Sequence, residues 1–164
     1  MNESVEHMEK PTTIDTGRLL VLLRVYLGLM FFVPAFAKTF GPEFATLQIE
    51  QFVGGYAVKH GYSWYRGFLQ GFVMHHVGLF ATLVTVGEWY IVIALLFGFT
   101  TRLAAGIALF MLLNFMAAKG ADPWYRSSEL HFAVMAVVVM LGAAGRTFGV
   151  DRFLHRRYPR VPIW

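Results

Sequence analysis

Apolar positions fall in four runs, about Leu19 to Ala37, Val73 to Phe99, Leu103 to Ala118 and Glu129 to Ala144, with charged residues gathered at their ends. Each run approaches the ~20 residues an α-helix needs to cross a bilayer, so each is predicted as a membrane-spanning helix. Arg24 and Pro34 interrupt the first run, and Lys38 with the Gly41-Pro42 pair ends it, because proline cannot continue the backbone ladder. Thr100, Thr101 and Arg102 leave so short a turn that the second and third spans are predicted to be antiparallel neighbours. Ser127 or Ser128 stands where a cap of the fourth helix is expected.

Between the first two runs, Glu43 to Tyr62 is mixed in character. Phe44, Leu47, Phe52 and Tyr56 recur at roughly helical spacing, with Glu50, Gln51 and Lys59 elsewhere, a pattern that predicts a helix lying at the membrane surface. The aromatic cluster Tyr62, Trp64, Tyr65 and Phe68, with Arg66 inside it, suits headgroup depth. Small residues recur four apart, Gly67 with Gly71, Ala94 with Gly98 and Ala104 with Ala108, which predicts close helix packing. The fold class expected is therefore an all-α integral membrane protein, a four-transmembrane-helix bundle with an interfacial helix in the first extracytoplasmic loop.

Charge sets the orientation. With four spans, Lys10, Arg18, Arg102, Arg146, Arg152, Arg156, Arg157 and Arg160 share one side, against Lys38, Lys59, Arg66, Lys119 and Arg126 on the other. The richer side is expected to be the cytoplasm, so both termini are predicted inside and the aromatic loop outside. The domain organisation is then a cytoplasmic tail 1–17, a membrane domain 18–154 and a basic cytoplasmic tail 155–164, in a bacterial or archaeal cytoplasmic membrane. Glu3, Glu6, Glu9 and Asp15 against Lys10 alone are the wrong polarity for a secretory leader, and no cleaved signal is expected.

Composition agrees with a lipid environment: 57% hydrophobic residues and a mean hydropathy of +0.54 exceed what a soluble domain of this length carries. The absence of cysteine excludes thiol exchange and cysteine-held metal sites. The basic pI of about 9.6 does not indicate nucleic acid, because the tail Arg156-Arg157-Tyr158-Pro159-Arg160 reads as a juxtamembrane anchor. No phosphate loop, HExxH zinc motif or GxSxG elbow occurs, and no metal site is predicted.

Ionisable groups inside spans are expensive and mark functional candidates, here Arg24 and Glu88. At ~1.5 Å per residue, Arg24 lies roughly 9 Å in from Arg18, Glu88 roughly 20 Å in from Arg102, and Asn114 at nearly the depth of Glu88. Arg24, Glu88 and Asn114 are thus the candidate intramembrane polar site, read as an Arg24 to Glu88 ion pair fixing register, as a snorkelling arginine beside a protonated glutamic acid, or as a quinone or proton site. His75, His76 and His131 are candidate outer-side polar residues. Haem ligation between the second and fourth spans is the weaker reading of them. Arg102, Arg146 and Asp151 are inner-side anchors, the last two a candidate local pair.

With these positions in place the chain resembles the DoxX family, and within it the branch related to DoxD, the small subunit of thiosulfate:quinone oxidoreductase. The resemblance covers Arg18 to Leu154 and rests on Arg24-x3-Gly28 with Lys38, Trp64-Tyr65-x2-Phe68-Leu69, Gly87-Glu88 leading to Leu96-Phe97-Gly98-Phe99-Thr100-Thr101-Arg102, and Gly142-Ala143-Ala144-Gly145-Arg146-x2-Gly149-x-Asp151. It implies an accessory or quinone-linked subunit of a membrane electron-transfer complex, with the lipid bilayer and other membrane or peripheral protein subunits as partners. A small subunit with its own quinone site, and a small transporter or lipid-binding bundle, are the alternatives. Whether the chain is itself an enzyme is left open.

Overall fold

A computed structural model describes residues 15–41, 45–120, 127–161 and 163. Most of the N-terminal tail, Lys10, Pro42, Phe44 and the loop bearing Pro123, Trp124, Tyr125 and Arg126 lie outside the described residues. Everything regular among the described residues is helical, with no strand. Helix α1 (Thr16–Phe40) starts where the Asp15 side chain accepts the Gly17 N–H and continues through Pro34. Proline removes the N–H that would bond to the Met30 carbonyl, on the stretch of α1 that borders the cavity described below.

The segment expected to lie at the membrane surface is helical. Its described residues comprise α2 (Ala45–Gln51), a π-helical stretch (Phe52–Ala57) and α3 (Val58–His60); beyond it, α4 (Ser63–Phe68), a second π stretch (Leu69–Val73) and a 3-10 turn (Met74–His76) lead into α5 (Val77–Phe97). At ~1.5 Å per residue a straight helix would hold Phe68 and Phe80 roughly 18 Å apart. Their ring centroids are 6.2 Å apart, and those of Phe72 and Phe80 5.8 Å. The chain therefore bends around the turn at Met74–His76, where His76 leaves helical geometry (φ −126°, ψ 37°). Changes of hydrogen-bond register of this kind are an established cause of helix kinks.

As the short turn predicts, α6 (Thr101–Lys119) follows α5 directly; Ser127 caps α7 (Ser128–Leu141) by accepting the Leu130 N–H, and α8 (Asp151–Arg157) ends the ordered helices. Buried residues of α1, α5, α6 and α7 form one core, including Leu27, Phe31, Leu95, Ala104, Ala108 and Ala136. Alanines along the contact let the helices close up. Of the small-residue pairs, Ala94, Ala104 and Ala108 are in that core, whereas Gly67 and Gly71 face open space and pack against nothing. A second, smaller core of Val53, Ala57, Leu69, Val73 and Ala118 holds the α2–α4 segments together as a lid over one end of the bundle.

Three helical stretches, Thr16–Phe40, Ser63–Phe97 and Thr101–Lys119, are long and apolar enough to cross a membrane, and only 28% to 39% of their apolar windows are buried in the protein. The remainder, including Leu22, Val33, Val86 and Phe97, is exposed and suits lipid. The chain is a multi-pass membrane protein. Helix α7 has 14 residues, about 21 Å at the usual rise.

Candidate functional site

Under the lid lies a cavity of about 720 Å³, walled by α1, the lid, α5, α6 and the start of α7. Its walls are mainly apolar, among them Phe31, Val53, Leu69, Val84 and Phe115. Three polar pairs interrupt them, each joining two of the enclosing elements. Lys38 of α1 donates to both carboxylate oxygens of Glu88 on α5, at 2.8 and 3.0 Å, and the Glu88 side chain is 2% exposed. The Tyr65 hydroxyl of α4 donates to Asn114 Oδ1 on α6 at 2.5 Å, while Asn114 Nδ2 donates to the Phe110 carbonyl. Lys119 at the end of α6 pairs with Glu129 in the first turn of α7.

One helical step from the first pair, Trp89 Nε1 donates to Thr39 Oγ1 at 2.9 Å, so α1 and α5 are joined twice at this level. The lid is fastened by backbone as well. The Tyr62 N–H donates to the Ala117 carbonyl at 3.2 Å, and Arg66 Nη1 to the Val58 carbonyl within the lid.

At the opposite end of the bundle a second buried polar cluster is formed. Arg24 donates from Nη1 to the Ala144 carbonyl at 3.2 Å and from Nη2 to the Phe148 carbonyl at 2.7 Å. Asp151, fully buried, accepts the Thr100 N–H at 2.6 Å and the Thr101 N–H at 2.8 Å, and its charge attracts Arg24. A carboxylate from α8 thus caps α6, where Thr100 provides no side-chain cap of its own. Gly98 is needed in the same place: its φ is +67°, and a Cβ there would overlap the Arg24 guanidinium. The partnered Arg24 donors go to backbone carbonyls and the Thr100 and Thr101 amides go to Asp151, which makes the cluster a clasp between α1, the α5–α6 turn and the tail.

Residues 19–163 match the family described as the TQO small subunit DoxD, TQO being thiosulfate:quinone oxidoreductase. The chain belongs to the DoxD family. No curated protein and no solved structure matches it. The matched region of this DoxD-family chain takes in both polar clusters, the lid and α8.

The sequence-predicted polar residues of this DoxD-family protein are distributed as follows. Glu88 and Asn114 line the same cavity; Arg24 does not. The ion pair considered between Arg24 and Glu88 gives way to Lys38 with Glu88, because Arg24 is drawn to the carbonyls beyond α7. Asp151, considered as a partner of Arg146, accepts the Thr100 and Thr101 amides with its two carboxylate oxygens. Arg146 lies in the 3-10 turn Ala144–Arg146, and Arg102 in the first turn of α6. None of His75, His76 and His131 lines the cavity. His76 and His131 are exposed and bond through Nδ1 to the Phe72 and Ser127 carbonyls of their own segments.

Lys38, Tyr65, Lys119 and Glu129 also line the cavity and are absent from the sequence-derived site. Each has an ordinary role at the end of a span, as a helix stop, an aromatic anchor or a capping acid, and that role conceals the other. The available signal was stoichiometric, since a carboxylate inside a span requires a cation at matching depth.

Proposed function

We propose that this protein is a four-span membrane subunit of a thiosulfate:quinone oxidoreductase and that the cavity under the lid receives the quinone ring. The fourth crossing is assigned to α7, which packs against α6 and α1 and carries an apolar run, Phe132 to Leu141, broken by no charge. The termini are placed in the cytoplasm on the charge asymmetry, with the lid on the outer side at the membrane surface. Partner subunits supply the thiosulfate-handling part of the enzyme, in keeping with the family's description as a small subunit.

One observation carries the quinone reading: a cavity of about 720 Å³ in the bundle, apolar in its walls, with a buried ammonium–carboxylate pair and a hydroxyl–amide pair facing it. Its size lies in the range of small-molecule sites, and a few fixed polar groups in an apolar wall are the usual means of orienting a ligand. A quinone presents two carbonyl oxygens and accepts hydrogen bonds only. Lys38, which keeps one N–H beyond the two given to Glu88, is the donor in position to serve one of them; the single Tyr65 hydroxyl proton is held by Asn114 Oδ1 and has to leave it to serve the other. Reduction to the quinol consumes two electrons and two protons. Glu88 is the carboxyl group placed to exchange a proton through Lys38, and the electrons come from thiosulfate by way of the partner.

The test is thiosulfate-dependent quinone reduction by membranes carrying this chain with its partner. Glu88→Gln and Lys38→Met are expected to lower the rate by about two orders of magnitude, the usual contribution of a positioned acid–base group. A Glu88→Gln enzyme with full activity removes the proton role and with it the main support of the reading.

A further inference from the structure

We infer that the cavity opens sideways into the bilayer between α5 and α6, and that its occupant is an amphiphile whose polar head sits at Lys38 and Glu88 while its hydrocarbon tail passes out by Phe68, Leu83 and Phe110. This rests on the quinone reading and extends it, since it gives a membrane-dissolved quinone a defined route from lipid to the site.

The cavity has a polarity gradient with direction. Glu88, at its inner limit, is 1% exposed, whereas Phe68, Leu83 and Phe110, which also line it, are 41%, 56% and 67% exposed. Residues that belong both to the lining and to the outer surface mark the rim of an opening. All three are apolar, and one each comes from α4, α5 and α6. Beside this rim the two long helices approach each other, with Met111 packed against Gly87.

Depth decides what passes through. The α5–α6 turn, with Thr100, Thr101 and Arg102, marks one membrane surface. Counting from the adjoining helix ends at ~1.5 Å per residue, Phe110 lies roughly 13 Å in and Leu83 roughly 21 Å in. The hydrocarbon layer is about 30 Å thick, so this rim faces acyl chains. A water-borne solute would have to cross lipid to reach it. A lipid-dissolved molecule needs only to turn its head inward, where the Lys38–Glu88 and Tyr65–Asn114 pairs compensate the head group for the water it left.

The kink at Met74–His76 is what makes the opening. It turns α4 and the π stretch Leu69–Val73 back over the outer part of α5, so that Phe68 and Phe72 meet Phe80 edge-on. The lid therefore covers the cavity from the water side while leaving its flank to the bilayer.

The chain contains no cysteine, so single cysteines can carry spin labels without background. Leu83→Cys and Phe110→Cys, labelled in the full chain reconstituted in phospholipid vesicles, are expected to collide with dissolved oxygen far more than with a water-soluble nickel chelate. An isoprenoid quinone added to the vesicles should lower that oxygen collision rate, and leave a control label at Leu22→Cys on the lipid face of α1 unaffected. Nickel-dominated collisions at Leu83 and Phe110 would overturn the lateral opening. In the assembled enzyme, Leu83→Trp narrows the rim. It should raise the KM ratio of a long-tailed quinone to a tailless benzoquinone about tenfold, the loss of roughly two buried methylene groups. An unchanged ratio overturns the tail path. If neither quinone is reduced by the intact enzyme, the quinone reading itself fails, and the collision data still decide whether the cavity faces lipid.

Discussion

Lys38 and Glu88 have left water together, and each is tolerable only because the other is there. Removing one member of a buried pair strands a charge at a cost of about 3–5 kcal/mol, whereas replacing both by apolar groups of similar volume is often neutral or better. Lys38→Ala is therefore expected to lower stability by about 3–5 kcal/mol, read as a fall in melting temperature of the detergent-solubilised protein. The double variant Lys38→Met with Glu88→Leu should recover most of that loss and still fail to support quinone reduction. A double variant that is both stable and active would assign the pair to packing alone. At the rim of the same site, Tyr65→Phe leaves Asn114 Oδ1 without its donor and should cost about 1–3 kcal/mol. Why Lys38 escaped the sequence can be stated in ångströms. Counted along the sequence from Arg102 and Arg18 at ~1.5 Å per residue, Glu88 comes out at about 21 Å, Arg24 at about 9 Å and Lys38 at about 30 Å. The two cations are nearly equidistant along the axis, and only the fold, by turning Arg24 toward Ala144 and Phe148, decides between them.

Among the elements, the turn between α5 and α6 depends most on a distant one. Thr100 adopts a left-handed conformation, φ 45°, which costs a residue with a Cβ about 1–2 kcal/mol. The Asp151 carboxylate on its amide and the Tyr90 hydroxyl, 2.7 Å from its Oγ1, offset that cost. Asp151→Ala would leave two buried amides unpartnered and Arg24 without its counter-charge. The expected loss is about 3–5 kcal/mol, with α8 cut faster by protease than in the parent protein. Gly98→Ala should act on the same clasp by displacing Arg24, and the melting temperature of the two changes combined should fall by less than the sum of the single effects, because they damage one network. The existence, order and approximate limits of α1, α5 and α6 were legible in the apolar runs, and so were the short turn and the Ser127 cap. The lid was legible only as helix. Its π stretches and the bend at Met74–His76 leave no mark on hydrophobic pattern, because Phe68, Phe72 and Phe80 are apolar residues whether the chain is straight or folded back.

For the whole molecule, the orientation reading has a direct check. Reporter fusions at the N- and C-termini should both report the cytoplasm, while a protease-accessible tag inserted after Gly61, in the lid, should be cut from outside in intact cells. A C-terminal reporter on the opposite side would mean that α7 does not cross. The polar clusters divide the bundle by purpose. The clasp of Arg24, Asp151 and the α5–α6 turn closes one end with hydrogen bonds to backbone, and the opposite half keeps its polar groups facing a space. Members of both clusters were legible in the sequence, but Arg24 joins the clasp and not the layer of Glu88 and Asn114, since depth along a helix carries no information about which neighbour a long side chain will choose.

The lid keeps a core of its own, Val53, Ala57, Leu69 and Val73, and meets the bundle through Ala118, the Phe68 and Phe72 rings on Phe80, the Tyr65 hydroxyl on Asn114 and one backbone bond, the Tyr62 amide on the Ala117 carbonyl. A unit assembled in this way can detach and re-seat while the four helices beneath remain folded, as a local opening with a free energy well below that of global unfolding. Backbone amides of residues 45–73 should then trade their protons for deuterium earlier than those of α5 and α6, and a ligand seated beneath them should slow that exchange.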